Sequence, residues 1–157
     1  MDFSFEDQNA NGGDSGRMLS NEVRSFFEKY DEGNNSGDIS FISESFAEVF
    51  FFCGPSGQQT VKREDFLKIL PKMKLFYKSI GQISNRLTTV EARKIDDDYI
   101  QAKGTWEMLF EKKDSSLVKV HIYATCFLFR FDDLRIVSQI DHQDLNKLLK
   151  ELKITEE

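Results

Sequence analysis

Cysteine, proline, histidine and tryptophan are all scarce in this chain: two, two, two and one among 157 residues. Two cysteines cannot make a disulfide framework in a domain this long. Cys53 and Cys126 sit in apolar, strand-like runs and read as free buried thiols. Two distant histidines and two cysteines in separate strands lack the spacing of zinc ligands, so no metal is expected. Asp96–Asp98 is an acidic turn without the alternating oxygen ligands of a calcium loop. Apolar runs are too short to span a bilayer. No opening segment joins basic residues, an apolar stretch and a small-residue cleavage site. A cytoplasmic location without membrane attachment is the default expectation. The formal net charge is -6, which argues against nucleic acid as a partner, because a phosphate backbone calls for a basic face. There is no nucleophile elbow, phosphate loop or dinucleotide glycine pattern, and the Gly54–Gly57 turn lacks the lysine such a loop needs.

Phenylalanine is abundant, at 15 residues. Large flat rings fill wide gaps between layers, as a helix-on-sheet core requires. Residues 1–18 are acidic and Asn/Gly-rich and read as a disordered leader, 19–153 as one domain and 154–157 as a flexible tail. Ser20 is placed to cap a helix whose stripe is Val23, Phe26, Phe27 and Tyr30. Asp38 is placed to cap a shorter helix over Ile39–Ala47. Val49–Cys53 and Gln58–Val61 read as a hairpin around Gly54-Pro55-Ser56-Gly57. A third helix is expected over Lys62–Lys78, kinked or split at Pro71. Its lysines read as a solvated face. Ile83–Lys94, Tyr99–Glu111, Leu117–Phe131 and Leu134–Ile140 read as successive strands, and Asp141–Leu152 as a closing helix. In Tyr99–Glu111, alternation puts Ile100, Ala102, Gly104, Trp106, Met108 and Phe110 on one face. Leu117–Phe131 is apolar on both faces, so its inward face stays undecided.

This order predicts an α+β domain: a strongly curved, mixed but mostly antiparallel sheet wrapped around about three helices. The layout resembles the nuclear-transport-factor-2-like (SnoaL-like, cystatin-like) superfamily over Leu19–Leu149. The resemblance rests on the Val23–Tyr30 helix, the Val49–Val61 hairpin, the Arg63–Phe76 helix, Gly104-x-Trp106, Phe127-x-Phe129-x-Phe131 and Ile136–Ile140. It implies a cone with an apolar pocket at its open end and homodimers through the outer sheet face. In enzymatic members it implies an acid–base pair without metal or organic cofactor.

Three function classes follow. The first is a homodimeric domain binding a small apolar or aromatic ligand. The second is a cofactor-free isomerase, cyclase or dehydratase of the ketosteroid-isomerase type. The third is an association or adaptor domain using its outer sheet. For acid–base chemistry the candidates are Asp141, His142 and His121. Asp141 shares a face with Val137 and Gln139, His142 with Ile140, and His121 with Tyr123, Thr125 and Phe127. The plainer reading of Asp141 is as the closing helix's cap. Tyr30 and Tyr77 offer phenols, Trp106 and Met108 a pocket wall, and Arg130 or Arg86 a partner for an anion. Tyr123, Thr125, Phe127 and Phe129 are the expected dimer face.

Overall fold

The computed structural model describes residues 4–7 and 14–155. Strand β1 (Ser4–Asp7) is followed by helix α1 (Asp14–Ser36), helix α2 (Ile39–Ser45), strands β2 (Phe46–Gly54) and β3 (Gly57–Lys62), and helix α3 (Arg63–Ser79). Four long strands follow: β4 (Gln82–Lys94), β5 (Tyr99–Glu111), β6 (Leu117–Arg130) and β7 (Leu134–Asp141). Helix α4 (Leu145–Glu151) closes the chain. Of the stretch expected as a leader, residues 1–3 and 8–13 lie outside the described residues, as do 156–157 of the expected tail.

One seven-stranded sheet runs in the order β1-β4-β5-β6-β7-β2-β3. The β1–β4 and β2–β7 pairs are parallel. All other neighbours are antiparallel. The expected α+β class with a mixed, mostly antiparallel sheet therefore holds. Val23 and Phe27 of α1 are 0% exposed, one helical turn apart on the stripe that meets the sheet. Burying a side chain of that kind contributes about 1.5–3 kcal/mol. Along β5 the predicted alternation is realised, with Ile100, Ala102, Trp106, Met108 and Phe110 all buried. A second, smaller cluster gathers Met108, Phe110, Val120 and Leu149 beneath α4.

Several boundaries move. α1 starts at Asp14, so Ser20 lies within the helix and does not cap it. Asp38 does cap α2, accepting the Ser40 backbone N–H at 2.9 Å. That helix ends at Ser45, because Phe46 and Ala47 already join β2, which runs beside β7. Pro71 lies inside α3 without dividing it. It sits on the solvent side, where the ring has room. The last strand continues through Asp141, which pairs with Ala124. The helix cap expected at Asp141 falls to Asp144, whose carboxylate accepts the Lys147 N–H at 3.1 Å.

Two irregularities set which side chains face the helices. Between β6 and β7, Phe127 pairs with Ser138 but Leu128 pairs with Ile136. The extra residue, Val137, reverses the alternation of β7. Ile136 faces inward before it, and Gln139 and Asp141 face inward after it, opposite Cys126 and Ala124. A second shift lies between Leu87 and Thr89 in β4. There the buried Asp31 of α1 accepts the Leu87 N–H at 3.0 Å and ties the helix to the sheet. Gly104 makes room for an aromatic neighbour: a Cβ there would stand 2.6 Å from the Trp106 ring. At Gly81, φ is +99° as the chain turns from α3 into β4, and a side chain would collide with the Glu111 carbonyl.

Candidate functional site

The bent sheet, α1 and α3 enclose a cavity of about 220 Å³. Its wall is mostly apolar, and eight of the lining residues are aromatic. Phe46, Phe50 and Phe52 come from β2, whose inward residues bear on the cone, and Trp106 and Met108 from β5. Helix α3 forms the roof with Phe66, Leu70, Met73, Lys74 and Tyr77, the spacing of one helical face. The rings interlock: Phe46 and Phe50 centroids are 4.6 Å apart, Phe46 and Phe66 5.1 Å, and Tyr30 and Trp106 6.3 Å. An engineered apolar cavity of ~150 Å³ takes up benzene, so this space suits a ring system somewhat larger.

Polar groups enter the wall at a few points. Asp141, Gln139 and Gln143 come from β7 and the turn after it. Gln139 Nε2 donates to Asp141 Oδ1 at 2.9 Å. Burial raises the Asp141 carboxyl above the usual carboxylate range, against the opposing effects of Gln139 and nearby His142. Burial likewise pushes up the Tyr30 phenol, which hydrogen-bonds Asn34, and the Tyr77 phenol. Both feel the Asp141 charge. So does Cys126, behind the wall, whose thiol is pushed up to about 12, chiefly by burial. Lys74 donates to the Gly33 and Asn34 carbonyls at 3.3 and 3.0 Å, closing the C-terminal turn of α1. Desolvation lowers its pKa. Asn85 of β4 also lines the cavity, and its buried Oδ1 has no hydrogen-bond partner among the described residues.

The residues singled out from sequence separate into three places. Tyr30, Tyr77, Trp106, Met108 and Asp141 meet in the cavity wall. The histidines do not join them. On β6 the even-numbered residues Val120, Ala124, Cys126 and Leu128 are buried. His121 therefore faces outward, 3.3 Å from Glu107. His142 is exposed and reaches Thr125 Oγ1 at 2.7 Å on that outer side. Arg130 lies away from the cavity, where its guanidinium grips both carboxylate oxygens of Glu22 on α1, one at 2.8 Å. Arg86 is exposed on β4, outside the cavity wall.

On the expected dimer face, Tyr123 is 39% exposed and Phe127 and Phe129 are half-buried, whereas Thr125 is only 8% exposed within its own chain. Tyr99, Phe129 and Phe131 form an outer aromatic row with successive centroids 4.8 Å apart. Tyr123 borders the cavity too, yet its ring lies under Lys103 Nζ at 5.8 Å. Among the described residues no group of three or more His, Cys, Asp or Glu is arranged to hold a metal ion. No helix among them is long and apolar enough to cross a membrane.

Asn34, Lys74, Gln82, Asn85 and Gln139 were not singled out from sequence. Each is a common polar residue in an amphipathic or mixed segment, and only the fold turns it inward. Gln139 had one usable signal, its shared parity with Asp141.

Known structures agree on the architecture. A nuclear-transport-factor-2-like protein of unknown function from Shewanella oneidensis superposes with a TM-score of 0.63 at 12% identity, covering 80% of this chain and 99% of that one. Aln2 from a Streptomyces species gives 0.66 at 14%, covering 86% and 96%. A Catenulispora acidiphila protein, solved in complex with S-DNPA, gives 0.63 at 17%, covering 84% and 98%. No protein-family model matches the sequence, and no curated protein matches it significantly. At these identities the likeness is one of fold: the chain adopts the nuclear-transport-factor-2-like, cystatin-like cone.

Proposed function

We propose that this domain binds a flat, largely apolar or aromatic small molecule in its cone and acts as a homodimer through the outer face of β5 and β6. The observation that carries the reading is the cavity itself: about 220 Å³ walled chiefly by apolar side chains, eight of them aromatic, with seven polar residues among them. Sites for small ligands have that composition, apolar walls with sparse polar groups that fix orientation. The Catenulispora protein of the same fold was solved in complex with S-DNPA, which agrees with this reading. The free thiols Cys53 and Cys126 suit a reducing compartment such as the cytoplasm.

The test uses N-phenyl-1-naphthylamine, a neutral aromatic probe that accepts energy from tryptophan. Trp106 is the sole tryptophan and lies in the wall. The expected result is saturable energy transfer at one probe per chain, lost in Ala124→Phe, which fills the space beside Asp141. Absence of saturable transfer in the wild type, or unchanged transfer in that variant, contradicts the reading. The dimer is checked by light scattering. The wild type should run at twice the chain mass and Phe129→Glu as a monomer; a monomeric wild type at high concentration rejects it.

A second reading, a cofactor-free isomerase, cyclase or dehydratase, is favoured by Asp141. A carboxyl whose pKa is raised by burial, within electrostatic reach of two phenols, has the makings of an acid–base pair. In that reading Asp141 moves the proton and Tyr30 or Tyr77 steadies the developing oxyanion. Asp141→Asn should then abolish turnover while keeping probe affinity. His121 and His142 take no part in it, since both lie outside the cavity wall.

A further inference from the structure

The inward face of β4 carries an amide where its neighbours are apolar. Leu87 opposes Trp106 and Asn85 opposes Met108, so alternation turns the Asn85 side chain toward the cone beside two apolar wall residues. Its Oδ1 is buried and has no hydrogen-bond partner among the described residues. Such an orphan is costly and calls for an explanation. A leucine of nearly the same shape would remove the cost. Among the other polar groups of the wall, Tyr30 is engaged with Asn34, Lys74 with two carbonyls, and Asp141 with Gln139.

Asn85 is also remote from the Asp141 end. Asp141 aligns through Ala124 with Gly104, whereas Asn85 aligns with Met108, four positions further along β5. At ~3.3 Å per residue that places the two rows roughly 13 Å apart along the strand.

We infer that Asn85 anchors the ligand through a hydroxyl group, so that the molecule taken up is an aromatic or alicyclic alcohol or phenol, not a plain hydrocarbon. This rests on the cone being a ligand site. A hydroxyl is the group that suits a carboxamide best: it donates to Oδ1, and it accepts from Nδ2 when the amide turns about its broad terminal torsion. An ether accepts but cannot donate, so it leaves the orphan oxygen unpaired.

The test is displacement of N-phenyl-1-naphthylamine by a matched pair, 2-naphthol and 2-methoxynaphthalene. The wild type should prefer 2-naphthol by about tenfold. Asn85→Leu should erase that preference while still binding the probe, and should melt at a temperature at least about 2 °C higher, the orphan being gone. Asn85→Ala serves as a second variant and should also lose the preference. Equal displacement by the two competitors in the wild type overturns the inference, as does a preference that survives in either variant. In both cases probe binding leaves the pocket intact as a ligand site. Failure of the probe to bind wild-type protein removes the pocket reading, and this inference with it.

Discussion

Gly104→Ala is a small change with a calculable consequence. The added methyl would stand 2.6 and 2.7 Å from two carbons of the Trp106 indole and 3.2 Å from a Leu87 methyl. Carbon atoms pack at ~3.5–4.0 Å, so the ring must retreat by about 1 Å. Both ring and methyl belong to the main core, and overpacking of this kind costs ~1–3 kcal/mol. Replacing glycine also restricts the unfolded chain, which returns ~0.4–1 kcal/mol. The net loss is about 1–2 kcal/mol, and for a chain of this size that lowers the melting temperature by about 2–8 °C. The assay is thermal unfolding followed by circular dichroism, paired with tryptophan emission. Trp106 is 5% exposed, so its emission should begin blue and shift to the red as the ring is pushed into the cavity. A variant with wild-type melting and unmoved emission would refute the placement of the indole over Gly104, and with it this side of the cavity wall.

Asp141 makes a prediction about pH. Its folded pKa is raised, mainly by burial, so the fold prefers the protonated carboxyl. The stability it contributes is complete below the unfolded value of ~3.9 and is lost as pH rises through the folded value. Asp141→Asn stays neutral throughout. It should exceed the wild type in urea stability at pH 7, with the gap closing below about pH 4; a variant less stable at pH 7 contradicts the argument. For Glu22 and Arg130, whose side chains are 39% and 38% exposed, a double-mutant cycle should give a coupling of about 0.5–1 kcal/mol, discounted for solvent screening. Arg130→Ala should leave probe affinity unchanged, because the arginine lies away from the cavity wall.

Much of this was legible before the structure. Strict alternation in Tyr99–Glu111 announced which residues would be buried, and the resemblance supplied the curvature. The third helix and the hairpin at Gly54–Gly57 fell close to their expected limits. Leu117–Phe131 was not resolvable by pattern, since apolar residues occupy both of its faces; its register against β5, which sets Leu128, Cys126 and Ala124 opposite Ile100, Ala102 and Gly104, decides that the even-numbered residues point inward. Two single-residue shifts were invisible because an extra residue reverses parity without changing composition. Asp141 reached the cavity through one of them. Arg130 looked available for a ligand because its partner, Glu22, lies 108 residues away in the chain. Asn85 gave no signal at all: an asparagine in a mixed strand looks solvated until the sheet bends over it.

The central claim is that a ring occupies the cone between α3 and β5. Methyl NMR on methionine-labelled protein tests it most directly, because Met73 of the roof and Met108 of the sheet face the space from opposite sides. On titration with 2-naphthol both methyl resonances should shift upfield together and saturate with a single dissociation constant. If either methyl stays unmoved at saturating probe, the ring does not sit in the cone and the account is wrong.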